Sequence, residues 1–156
     1  MNSKQRQAID HKVIEELACD CVLTRSRLIA RVLTGIYDEA LLPFDVKSPQ
    51  YSLLVVISKI APASRADIGR FNQLDRSTLT RNLQLLLSGG WIHEVPTDAG
   101  GRARPVSLTA AGVKLLVDAA PAWRDAQARS AEVLGQSGVN ALMKMGDSMM
   151  NLPQAA

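Results

Sequence analysis

The sequence predicts a mainly α-helical fold carrying one small β-hairpin, and three observations predict it. Apolar residues recur at helical spacing through most of the 156 residues. Aromatic residues make up only 4%, so Leu, Val, Ile and Ala must fill the core, a palette that favours helices over a β-sandwich. A loop rich in Gly and Arg separates two short β-prone runs, the pattern of a hairpin with a basic tip. The 47% hydrophobic and 21% charged residues are ordinary for a folded soluble protein and argue against disorder. A single domain is expected at this length.

The elements follow in order. From Asp10 to Leu42, Val13, Leu17, Cys21, Leu28, Val32 and Ile36 mark one long amphipathic helix. Leu42-Pro43-Phe44 ends it, because proline disfavours helix in the residue before it. A second helix is expected after Ser48, with Pro49 at its first position and Ile60 near its end. Its run Leu53-Leu54-Val55-Val56-Ile57 is apolar on every face, which predicts a central, buried helix stopped by Pro62. Ser64 with Asp67 three residues on reads as a capped start of a short helix running to about Asn72. Asp75, or alternatively Ser77, caps the next helix, which continues to Ser88 and closes at Gly89-Gly90.

The periodicity then changes. Trp91 to Val95 and Val106 to Leu108 read as short strands around the tip Thr97-Asp98-Ala99-Gly100-Gly101-Arg102-Ala103-Arg104, with Pro96 and Pro105 confining the pairing. Thr109 begins a helix with Leu115, Leu116, Ala119, Trp123 and Ala126 on its apolar side, and Pro121 is expected to kink it. Gly135 to Gly138 is a break before a last amphipathic helix from Val139 to Asn151.

Helix, helix, turn, helix and then a hairpin with an arginine-bearing tip is the layout of a winged helix-turn-helix. At about 100° per residue, Leu79, Leu83 and Leu86 form the core stripe of the helix after the turn. Ser77, Arg81, Gln84 and Ser88 lie opposite, with no acidic residue among them. Thr78 and Asn82 flank that stripe, and Arg76 stands at the helix start. Reading a major groove needs such a face: Arg for guanine edges, Gln for adenine, Ser for phosphate or either base. Arg76 and Thr80 are the phosphate candidates. Arg102 and Arg104, on a loop of small residues, suit a narrow minor groove of negative potential. The bland alternative is a solvated helix face and a solvated turn. The two features standing side by side favour double-stranded DNA.

Leu74-Asp75-Arg76-Ser77-Thr78-Leu79-Thr80-Arg81-Asn82-Leu83, Gly90-Trp91-Ile92, Arg102 and Ser107-Leu108-Thr109-Ala110-Ala111-Gly112 resemble the MarR family of bacterial transcriptional regulators. The resemblance extends over nearly the whole chain. It implies a homodimer, with residues 8–45 and 111–156 as dimerisation helices and 46–110 as the DNA-binding region. It also implies control by a small molecule, an anionic aromatic compound being the family's habit, or by an oxidant. The chain departs from the pattern at Gly100, where the family's wing usually has an Asp two residues before the matching arginine, and at Leu87-Ser88-Gly89, where charges are usual.

Cys19 and Cys21, about 200° apart on one continuous helix, could neither pair with each other nor share a metal. Packing is their expected role, with thiol redox sensing as the alternative; Asp20 between them should raise a thiol pKa. His11 and His93 have no Cys or carboxylate at metal-ligand spacing. Met143, Met145, Met149 and Met150 read as pliable packing, and Trp123 as an interface anchor more than a cavity wall. No G-x-S-x-G, P-loop, H-E-x-x-H or dinucleotide fingerprint occurs, so neither catalysis nor a cofactor is expected. Without an apolar run of about 18 residues or a leader-like start, a cytoplasmic protein with no membrane partner is expected. The sequence therefore predicts a sequence-specific regulator, a repressor, binding a palindromic operator as a homodimer. A winged helix that binds protein instead of DNA is the rival reading.

Overall fold

The computed structural model describes residues 11–96 and 104–150. The elements run α1 (His11–Cys19), α2 (Val22–Leu41), a 3₁₀ turn (Leu42–Phe44), α3 (Ser48–Ile60), α4 (Arg65–Asn72), α5 (Arg76–Ser88), β1 (Ile92–Glu94), β2 (Val106–Leu108) and α6 (Ala110–Met150). This is the expected mainly α fold with a two-stranded antiparallel hairpin and helices at both ends. The chain divides into two compact units, Met1–Gly35 and Ile36–Ala156.

In the first unit the single long helix foreseen from Asp10 to Leu42 is two helices, interrupted at Asp20 and Cys21. Cys, Asp and Cys in a row are weak helix formers, so the break falls in a stretch of low intrinsic propensity. Both sides of it are satisfied. The Arg25 guanidinium donates to the Cys19 carbonyl at 3.1 Å, and the Arg25 backbone N–H donates to the Cys21 carbonyl at 3.1 Å, opening α2. Val13, Leu17, Leu28 and Val32 all remain exposed.

The second unit is built around α3. Leu53, Leu54 and Ile57 are fully buried with Leu41, Ile68, Leu83, Leu86 and Val106, so every neighbouring element contributes to one core. The helix begins one residue earlier than expected, at Ser48, because the Gln50 side chain turns back to accept from the Lys47 N–H at 2.8 Å. The Tyr51 hydroxyl donates to the Leu116 carbonyl at 3.1 Å, tying α3 to α6.

The hairpin pairs Ile92 with Leu108, His93 with Ser107 and Glu94 with Val106. Ala63, between α3 and α4, exchanges two 2.9 Å backbone hydrogen bonds with Val106, so the wing is anchored on both sides of β2. Gly90 turns the chain out of α5 at φ 69°, a left-handed conformation that glycine adopts without strain. Thr109 then caps α6: its hydroxyl donates to the Gly90 carbonyl at 2.6 Å and accepts from the Gly112 N–H at 3.1 Å. Gly112 packs directly on the Trp91 carbonyl, where any Cβ would collide with backbone. The Leu-Thr-x-x-Gly pattern is thus a joint between wing and helix. In α6, Pro121 lies inside the helix with helical dihedrals. The helix is interrupted at Gly135, as expected, where a φ of 66° and a ψ of 161° belong to a region open essentially to glycine.

Candidate nucleic-acid interface

Ser64 caps α4 by accepting from the Asp67 N–H at 3.1 Å, as its spacing predicts. At the far end Gln73 turns left-handed, and the Leu74 N–H returns to the Gly69 carbonyl at 3.1 Å. That tight reversal leads into α5, which Asp75 caps; Ser77, the alternative cap, lies inside the helix. The Asp75 carboxylate accepts from the backbone N–H groups of Ser77 and Thr78, both at 2.9 Å, and from their hydroxyls at 2.5 and 2.6 Å. The Ser77 and Thr78 hydroxyls, followed by those N–H groups, hold the carboxyl far below the ordinary aspartate range.

The helix presents two opposed faces. Leu79, Leu83 and Leu86 are buried in the core, while Ser77, Arg81, Gln84 and Ser88 are exposed on the opposite side, as the angular arithmetic requires. Arg76 and Thr78 are exposed, and Thr80 and Asn82 are half-buried. No acidic residue occurs anywhere in α5.

Hydrogen bonding sorts these side chains chemically. The Thr80 hydroxyl donates to the Arg76 carbonyl at 2.7 Å, and the Asn82 amide donates to the Thr78 carbonyl at 3.1 Å. The Ser77 and Thr78 hydroxyls spend their protons on Asp75, so toward a partner they offer lone pairs and act as acceptors. Among the described residues, Arg76, Arg81 and Gln84 make no side-chain hydrogen bond and no ion pair. Nearby arginines are engaged: Arg65 pairs with Glu94 on β1 at 3.3 Å, and Arg70 with Asp67.

At the wing, Arg104 is exposed, and the Val95 N–H donates to the Pro105 carbonyl at 2.8 Å, extending the pairing toward the tip. Arg102, with Asp98 and Gly100, lies outside the described residues.

Cys19 is exposed at the end of α1 and Cys21 is partly exposed in the break, so the helical separation foreseen between them does not hold. The Thr24 hydroxyl and then its backbone N–H bond the Cys21 sulfur and lower the thiol pKa, the reverse of the effect expected from Asp20.

The sequence did not locate a cavity of about 290 Å³ in the second unit, lined by Tyr37, Leu41, Tyr51, Ser52, Val55 and Trp123. Trp123 therefore forms a cavity wall. Burial raises the Tyr37 and Tyr51 phenol pKa values, and the nearby Arg124 guanidinium works against the rise at Tyr51. The described residues contain no cluster of His, Cys, Asp or Glu able to hold a metal ion, and no helix among them is long and apolar enough to cross a membrane.

The model of the MarR family matches residues 44–103. Among solved structures, a mutant of MarR from E. coli complexed with operator DNA superposes with a TM-score of 0.74 at 20% identity, covering 89% of this chain and 98% of that one. The M. tuberculosis transcriptional regulator MosR in complex with DNA gives 0.69 at 29% identity, covering 82% and 95%. A MarR-family regulator from a Rhodococcus species gives 0.66 at 21% identity, covering 93% and 98%. No curated protein sequence matches the chain.

Proposed function

We propose that the chain is a MarR-family DNA-binding transcriptional regulator, a cytoplasmic repressor acting as a homodimer. The observation that carries the reading is the outward face of α5, where Arg81 and Gln84 stand exposed and unengaged on a helix without a single acid. Arg81 reads a guanine edge and Gln84 an adenine. Ser77, Thr78 and Asn82 complete the groove contacts, the first two as acceptors; Arg76 faces a phosphate, and the Thr80 hydroxyl donates to one only by releasing the Arg76 carbonyl. Arg102 and Arg104 enter the flanking minor groove. Residues 46–110 form this DNA-binding region, and the helices within 8–45 and 111–156 join two copies. Two copies of α5 about one helical turn apart then read a palindromic operator.

The cavity beside Trp123 is the place for a small effector. The phenol rings and the indole wall suit an aromatic molecule, and the Arg124 cation near Tyr51 suits a negative charge on it. Such a ligand releases DNA by favouring a spacing of the two heads that does not fit the operator.

One observation favours a second mode of control. The lowered Cys21 thiol pKa beside exposed Cys19 suits oxidation by peroxide, two thiols and one peroxide giving one disulfide and two waters. On a non-reducing gel of oxidised protein this predicts a covalent dimer that Cys19→Ser or Cys21→Ser abolishes. Absence of that band rejects this mode.

The DNA reading is tested by enriching bound duplexes from a random library and titrating them, with a scrambled control, at two salt concentrations. Palindromic enrichment, with affinity falling steeply as salt rises, is expected from counterion release. Equal, salt-insensitive binding to both duplexes contradicts the reading and favours a protein-binding winged helix.

A further inference from the structure

Leu85 is the one large apolar side chain of α5 that the core does not take up. Leu79, Leu83 and Leu86 are buried and Leu87 packs partly against the core, whereas Leu85 is 45% exposed. Counting about 100° per residue, Leu85 points about 40° from Arg81 and about 60° from Ser88, beside the Arg81 edge of the outward stripe. Its spacing of four from Arg81 makes the two side chains neighbours on the surface. Its backbone is held firmly, because the Leu85 carbonyl accepts both the Ser88 hydroxyl at 3.0 Å and the Gly89 N–H at 2.9 Å. The side chain therefore stands at a fixed place, bordered by Arg81, Asn82 and Ser88.

A lone exposed leucine is common and on most surfaces means nothing. Here its surroundings decide the matter. One leucine ringed by polar side chains is far too small for a protein-docking patch, which needs a contiguous apolar area of several hundred Å². The neighbouring charge is positive, with no acid on the helix, and this favours a polyanion over an apolar protein surface. In the floor of a DNA major groove the apolar group on offer is the C5-methyl of thymine.

We propose that Leu85 is a specificity-determining residue that reads a thymine methyl next to the base read by Arg81; this rests on the DNA-binding reading above. Four residues advance about 6 Å along the helix, roughly two base-pair steps, so the thymine lies one or two pairs from the guanine. Arg81 and Leu85 together select a G and a nearby T, one by hydrogen bonds and the other by apolar contact.

The test uses the enriched duplex with each thymine replaced in turn by deoxyuridine, which removes the methyl and leaves the pairing unchanged. Wild-type protein is expected to lose about four-fold in affinity at one thymine per half-site, and about fifteen-fold when both half-sites are changed. Leu85→Ala is expected to bind the thymine and deoxyuridine duplexes alike, and Leu85→Met to retain the preference. Enriched sites lacking a thymine within two pairs of the conserved guanine overturn the proposal, as does a wild-type protein indifferent to deoxyuridine at every position. Discrimination that persists unchanged in Leu85→Ala overturns it as well. All three leave the DNA reading intact, whereas failure to enrich any duplex overturns both.

Discussion

The α4–α5 segment and the α1–α2 segment dispose of their apolar side chains in opposite ways. In α4 and α5, Ile68, Leu79, Leu83 and Leu86 are buried within the same chain, and each helix has a side-chain cap. In α1 and the first part of α2, Val13, Leu17, Val22, Leu23, Leu28 and Val32 are all exposed, Val22 to 81%. A helix whose apolar side is already buried has its polar side free for a ligand. A helix with an unburied apolar stripe loses roughly 25 cal/mol for each Å² left in water, which a second chain can recover. The difference separates the two segments physically: α5 satisfies its apolar side within its own fold, whereas α1–α2 leaves an apolar stripe in water, which the proposed dimerisation would cover.

The largest effect should come from breaking the associating half. Leu28→Asp combined with Val32→Asp places charge on the exposed stripe. Sedimentation velocity should then show a monomer in place of a dimer, and operator affinity should fall about a hundred-fold or more, because the second head is no longer tethered. A variant that stays dimeric would show that the stripe is not the interface.

Breaking the self-contained half should cost less. Gly112→Ala drives a methyl into the Trp91 carbonyl, and urea unfolding should report a loss of about 3 kcal/mol. Because Gly112 lies in the joint between wing and α6, the dimer should persist while the wing is displaced.

The smallest effect sharpens the role of the cap. Asp75→Ala should lower the melting temperature by about 4 °C. The folded-state pKa of Asp75 lies below its unfolded value, so its contribution is fully present above the unfolded pKa and is lost as pH falls through the folded one. The stability difference between wild type and Asp75→Asn should accordingly hold steady above about pH 5 and shrink below about pH 4. A difference that grows on acidification would contradict the cap geometry.

Much of the reading half was legible in the sequence, because it depends on local rules. Caps at Ser64, Asp75 and Thr109, a glycine exit at Gly90 and a three-leucine stripe are each set by neighbours within a few positions. What escaped depends on competition or on distant partners. The apolar pattern ran through Cys19-Asp20-Cys21 as though the helix continued, but weak propensity and the Arg25 bond to the Cys19 carbonyl interrupt it. The cavity joins Tyr37, Tyr51 and Trp123, spread over 86 positions of sequence, and no local signal could have assembled it. The commitment of the Ser77 and Thr78 hydroxyls to Asp75 was equally hidden, since it turns residues foreseen as contacts into acceptors.

The central claim is that the outward face of α5 reads DNA, and Arg81 tests it most directly. Fluorescence anisotropy of the enriched duplex with wild-type and Arg81→Ala proteins, beside a scrambled duplex, is the measurement. The account predicts an Arg81→Ala protein with unchanged melting temperature and dimerisation whose affinity drops by at least about ten-fold per half-site, to the scrambled level. An Arg81→Ala protein that binds the enriched duplex as tightly as wild type would contradict it.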